Sequence, residues 1–158
     1  MQDSLIPGKS LFLLGTGTGL APFASIVRDP DVYDRFERII LVHGCREVAE
    51  LAYGAEVVER LHADEHLAET VAGKLLYYPA TTREPSRHMG RIPALLDTAQ
   101  LTDDLGLPPM DPATDRMMLC GSPAFLADTV ALLDRRGFTE GSHSSPGTYV
   151  IEKAFVEK

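Results

Sequence analysis

Short apolar runs alternate along the chain with longer stretches whose apolar residues recur at helical spacing, a pattern that predicts a parallel sheet with helices on its faces. The first run, Ser10–Leu14, is continuously apolar, as a strand buried on both faces must be. It passes through GTGTGLAP into a helical stretch at Pro22–Val27, with Pro22 in a first turn where its missing N–H breaks no bond. A second strand, Arg38–His43, ends at GCRE and precedes a helix at Val48–His62 with Leu51, Ala55, Val58 and Leu61 on one face. A third strand is expected at Lys74–Ala80, with Pro79 near its end because proline donates no ladder bond. The connection Thr81–Asp115 holds a short helix near Ile92–Thr98 and then a Pro/Asp-rich loop. The fourth strand, Arg116–Cys120, runs into GSPAF and a helix at Pro123–Arg136 closed by Gly137, and a last strand is expected at Thr148–Ala154. The reading is one α/β domain with five parallel strands, helices on both faces, and no internal repeat or interdomain linker.

Composition narrows the function classes. A chain of 158 residues, 44% hydrophobic and 24% charged, can bury a sizeable core as one domain. A net charge of −8 argues against nucleic acid or an anionic membrane as the main partner. No apolar run approaches the roughly 20 residues of a membrane-spanning helix, and the amino end lacks a basic-then-apolar signal pattern. Two cysteines, Cys45 and Cys120, suit a reducing compartment, so a cytoplasmic location is expected. In a sheet ordered 3-2-1-4-5 they stand one strand apart, ~9–10 Å between backbones, beyond disulfide reach.

Open parallel sheets bind ligands at the carboxyl ends of their strands. Four unusual clusters fall at such ends: GTGTG, GCRE, TTRE and CGSP. Gly15, Gly17 and Gly19 let backbone amides approach a phosphate, aided by a helix amino end; the plain alternative is a tight strand-to-helix turn, and the spacing is not G-x-G-x-x-G. Arg46, Arg83 and Arg91 could form an anion site in an otherwise acidic protein, or could each be a solvated surface arginine. Arg46 preceding Glu47 leans toward a phosphorylated ribose or another phosphate. Cys120 reads as a reactive-site residue or a small buried hydrophobe. His43, His62, His66, His88 and His143 show no metal-ligand spacing and read as solvated or capping, so no metal is expected. Ser144 and Ser145 lack a nucleophile elbow.

Taken in order, GTGTGLAPF, LVHGCREVAELAY, YYPATTRE, GRIPALL, GLPPMDPATDRMMLCGSPAFL and the ending YVIEKAFVEK resemble the plant-type ferredoxin–NADP⁺ reductase superfamily, specifically its bacterial ferredoxin/flavodoxin–NADP⁺ reductases. The resemblance runs the whole length and implies the strand order 3-2-1-4-5. It implies NADP(H) as cofactor, FAD in the complete enzyme, and ferredoxin or flavodoxin as electron partner. By the same resemblance, Gly15, Thr16, Gly17, Thr18 and Gly19 would receive the pyrophosphate and nicotinamide side, with Thr16 and Thr18 as hydroxyl donors and Gly121 beside them in CGSP. Arg46 would contact the nucleotide near its phosphates, and Arg83 and Arg91 would grip the adenosine 2′-phosphate. Asp115 matches a position near the adenosine end. Cys120 would lie beside the nicotinamide where hydride passes, Ala154 against the flavin ring, and Phe155 on the flavin's adenine.

One departure stands out. Members of the family begin with a flavin-binding β-barrel bearing an Arg-x-Tyr-Ser type motif, and neither is found in this sequence. The expectation is therefore an NADP(H)-binding half that alone holds no flavin tightly and has little or no reductase activity. Two alternatives stay open: the nucleotide-binding domain of an NADH-dependent oxygenase reductase component, and a non-catalytic nucleotide-binding module.

Overall fold

The computed structural model describes residues 4–152. Five strands, β1 (Ser10–Thr16), β2 (Arg38–Cys45), β3 (Leu75–Thr81), β4 (Asp115–Cys120) and β5 (Tyr149–Ile151), form one parallel sheet in the order β3-β2-β1-β4-β5. The seven α-helices among the described residues are α1 (Ala21–Ile26), α2 (Pro30–Arg35), α3 (Ala52–Ala63), α4 (Ala68–Lys74), α5 (Ile92–Asp97), α6 (Gln100–Asp104) and α7 (Pro123–Arg135).

Successive strand residues point to opposite faces, so the continuous apolar runs supply two cores at once. Leu11, Leu13, Ile39, Leu41 and Met118 pack with Phe23, Val32, Tyr33, Val57, Leu61 and Val71 from α1 to α4. Phe12, Leu14, Ile40, Val42, Met117 and Leu119 pack with Ile92, Leu95, Leu96, Leu101, Phe125 and Leu133 from α5 to α7. Each such fully buried side chain contributes about 1.5–3 kcal/mol of transfer free energy. The registers Gly15↔His43 and Gly15↔Cys120 bring the carboxyl ends of the three central strands to one level. That shared rim positions the site.

The fold, the sheet order and the strand locations follow the sequence expectation; several details differ. The stretch Val48–Leu51 is a 3-10 turn, and α3 begins only at Ala52. Its buried face is Gly54, Val57 and Leu61, whereas Ala55 is exposed and Val58 only half-buried. The tighter turn rotates the helix relative to a continuous 3.6-residue pattern. Lys74 closes α4 rather than opening β3. Pro79 lies inside β3, tolerated because β3 is an edge strand. The last strand is three residues long, and Ala154 and Phe155 lie outside the described residues.

Candidate functional site

A cleft of about 570 Å³ opens at the carboxyl rim of the sheet, within the range of small-ligand sites. Its walls come from three places: the turn after β1 (Thr16, Gly17, Thr18, Gly19), the ends of β2 and β3 with the segment beyond (Arg46, Arg83, Arg91), and the entry to α7 (Gly121, Ser122, Phe125). The four sequence clusters thus converge on one cleft.

The turn after β1 is itself a 3-10 helix, Gly17–Leu20, leading into the six-residue α1. A methyl group at Gly19 would come within 2.6 Å of the Cys120 carbonyl oxygen, so only glycine lets the turn lie against the end of β4. At Gly121, which has φ +155, a methyl group would meet the Thr16 hydroxyl at 2.1 Å. That hydroxyl accepts a hydrogen bond from the Ser122 amide at 3.2 Å, tying β1 to the start of α7. Ser122 caps the helix in turn, its hydroxyl accepting from the Phe125 amide at 3.2 Å. The cleft floor is therefore backbone packed against backbone. Gly15 lies buried beneath it.

A histidine that the sequence reads as solvated or capping holds the turn from below. His43 is 1% exposed, and its Nε2 lies 2.8 Å from the Gly17 carbonyl. Burial holds its imidazole below the ordinary histidine pKa, against the opposing pull of Gly17 and the Glu50 charge. The neutral ring can then donate Nε2–H to Gly17. Its one sequence signal was a polar residue inside the apolar run of β2.

The opposite wall carries the positive charge. Arg46, Arg83 and Arg91 are exposed, and among the described residues their guanidinium groups make no ion pair or side-chain hydrogen bond. Their backbones are fixed nevertheless: the Arg46 carbonyl accepts from the amides of Arg83 and Glu84, at 3.0 and 3.2 Å. A capping box between Glu47 and Glu50 shapes the chain just after Arg46. Glu50 and Asp128 also line the cleft, so its charge is mixed, with the arginines on the β2–β3 side.

Besides Gly15, two predicted site residues among those described do not line the cleft. Asp115 begins β4 at the far end of the strand, and its carboxylate accepts from the Asp111 amide (2.9 Å) and the Thr114 hydroxyl (3.2 Å). It shapes the loop before β4 instead. Cys120 has no exposed surface, packs with the α1–α4 core, and lies one residue before the cleft-lining Gly121. Burial pushes its thiol pKa up, with Glu152 adding to the shift. Cys45 is likewise free and buried. Among the described residues no cluster of three or more His, Cys, Asp or Glu could hold a metal ion, and no helix is long and apolar enough to cross a membrane.

Residues 13–131 match the model of the oxidoreductase NAD-binding domain family. The chain belongs to that family. This family member is similar to parts of longer proteins. The chain is 55% identical over 153 residues to ferredoxin–NADP reductase A of Sorangium cellulosum, covering 97% of this chain and 55% of that protein. It is 52% identical over 154 residues to the flavodoxin/ferredoxin–NADP reductase of Rhodobacter capsulatus, covering 98% and 57%. Among solved structures, a ferredoxin NADP⁺ reductase from Neisseria gonorrhoeae with bound FAD and NADP superposes with a TM-score of 0.80 at 31% identity, over 96% of this chain and 58% of that one. The chain thus spans a little over half the length of these proteins.

Proposed function

We propose that this chain is the NADP(H)-binding half of a ferredoxin or flavodoxin–NADP⁺ reductase, acting in the cytoplasm. The observation that carries the reading is the trio of unpaired arginines on one wall of a cleft whose other wall is close-packed glycine backbone. A guanidinium with unspent donors suits a phosphate, and one wall bearing three of them suits a ligand with phosphate at two places. The similarity to reductases, one of them solved with NADP bound, favours the same reading.

In this proposal the pyrophosphate lies over Gly17 and Thr18, whose amides begin a helical turn and lack intrahelical partners. Thr18 offers its hydroxyl, while Thr16 spends an acceptor site on Ser122 and keeps its proton to donate. Arg46 meets the nucleotide near its diphosphate, and Arg83 with Arg91 takes the 2′-phosphate. The nicotinamide end turns toward Gly121 and Ser122. Cys120 supports Gly121 from beneath, and Asp115 takes no part. When bound, NADP(H) supplies the hydride that a flavin exchanges for single electrons with ferredoxin or flavodoxin. The residues of this chain orient the nucleotide for that exchange. Ala154 and Phe155 are proposed to face the flavin in the complete enzyme. The 158-residue chain alone is proposed to retain no flavin.

Calorimetric titration of the chain with NADP⁺ and with NAD⁺ tests the reading. Clear preference for NADP⁺ is expected. Equal affinities would remove the arginine assignment and favour an NADH-dependent reductase component. An FAD absorption band retained through purification would remove the flavin-free expectation.

A further inference from the structure

The segment between Arg83 and Arg91 contains no helix and no strand, yet both arginines lie on the same wall of the cleft. Its inner side closes on Thr81. The Thr81 hydroxyl donates to the Glu84 carbonyl at 2.6 Å and lies 2.7 Å from the Ser86 hydroxyl, which meets the His88 carbonyl at 2.8 Å. The Thr81 amide also donates to the His88 carbonyl at 3.1 Å, and its carbonyl accepts from Gly90 at 3.0 Å. These local bonds fold the loop, and a separate group of side chains fastens it to the domain.

That group lies on the α5–α7 face of the sheet. The His88 ring stacks on buried Tyr78 of β3, with centroids 4.0 Å apart and planes 17° apart. Asp104, the last residue of α6, accepts the Tyr78 hydroxyl at 2.6 Å and has the His88 Nδ1 at 3.5 Å from the same carboxylate oxygen. Its other oxygen accepts from Gln100 at 2.7 Å. One carboxylate therefore joins strand, loop and helix. The Tyr78 hydroxyl, then Gln100, His88 and Arg87, hold that carboxyl below the usual carboxylate range, so it stays ionised near neutral pH. The helix bearing it starts from Ala99 at φ 64, the one non-glycine residue with positive φ among those described. Local strain at Ala99 is accepted where it sets the direction from which α6 presents Asp104.

We propose that Asp104 and His88 are positioning residues for nucleotide selectivity: they lock the 82–91 loop so that Arg83 and Arg91 face the cleft before ligand arrives. This rests on the assignment of those arginines to the 2′-phosphate. Neither residue lines the cleft, so each acts only through the loop. Ordering the loop in advance removes a cost from binding, and the gain goes only to a ligand that uses both arginines. NADP⁺ carries the 2′-phosphate; NAD⁺ does not.

The test is titration of the parent chain, Asp104→Asn and His88→Ala with NADP⁺ and NAD⁺, alongside thermal melts. Asparagine keeps an acceptor for the Tyr78 hydroxyl and removes the charge facing His88; alanine removes both the stack and the pair. Each variant is expected to lose about fivefold in NADP⁺ affinity while NAD⁺ affinity stays unchanged. Equal losses for both nucleotides, or no loss for either, would overturn the proposal in favour of a purely structural role. If the parent itself does not prefer NADP⁺, the arginine assignment fails and this inference falls with it. If the parent prefers NADP⁺ and both variants match it, only the inference falls.

Discussion

Arg116 and the arginine trio stand at opposite ends of the same sheet and have opposite fates. At the amino end, Arg116 is 4% exposed and directs its donors to the carbonyls of Ile6 (2.7 Å), Pro7 (2.8 Å), Pro112 (2.8 Å) and Asp115 (2.6 Å). At the carboxyl end, Arg46, Arg83 and Arg91 are exposed, and their guanidinium groups are unpaired within the described residues. The residue type is the same and the accounting of donors decides the role. A guanidinium whose donors are spent on the protein's own carbonyls is structural; one whose donors are unspent, at the ligand-binding rim of an open sheet, is available to an anion.

The sharpest way to break this comparison is Arg116→Ala. It leaves four carbonyls without their charged donor and should cost about 3 kcal/mol. In a domain of this size that is a drop of about 10 °C in Tm, with the ratio of NADP⁺ to NAD⁺ affinity unchanged among folded molecules. A selective loss of NADP⁺ binding would mean that the two ends are not separate.

Gly19→Ala comes next. Its methyl group would press on the Cys120 carbonyl at 2.6 Å, so a loss of about 2 kcal/mol is expected in a denaturant melt. Because the glycine turn is proposed to serve both nucleotides alike, their affinities should fall together.

Ala99→Gly relieves a left-handed alanine and should stabilise the chain by about 1 kcal/mol. The smallest effect concerns His43 and is confined to acid. Its folded pKa lies below the ordinary value of 6.5, so below that pH the unfolded state binds more protons. Its stabilising contribution is therefore full above about 6.5 and is lost as pH falls below that toward the lowered folded value. Melting curves from pH 8 to 5.5 should show a flatter acid limb for His43→Asn than for the parent.

The fold was legible because continuous apolar strands separated by helical stretches leave few alternatives, and the strand order followed from the same pattern read with the family resemblance. Short helices were not. Pro30–Arg35, Ala68–Lys74 and Gln100–Asp104 run one or two turns, too short for a periodic face to emerge. Much of the cleft was legible too, since glycines and arginines at strand ends carry local signals. What escaped was the support beneath it. His43 under Gly17, and Tyr78 with His88 and Asp104 behind the arginine loop, are joined only by the fold, across separations that no local spacing encodes. Asp115 shows the converse: its motif matches, while its register puts it at the amino end of β4, away from the cleft.

The most direct test of the central claim is the double variant Arg83→Ala, Arg91→Ala, titrated with NADP⁺ and NAD⁺ beside the parent. The account predicts a fall of about 100-fold or more for NADP⁺, as two charged contacts are lost, with NAD⁺ affinity and Tm unchanged. An unchanged NADP⁺ affinity would contradict it.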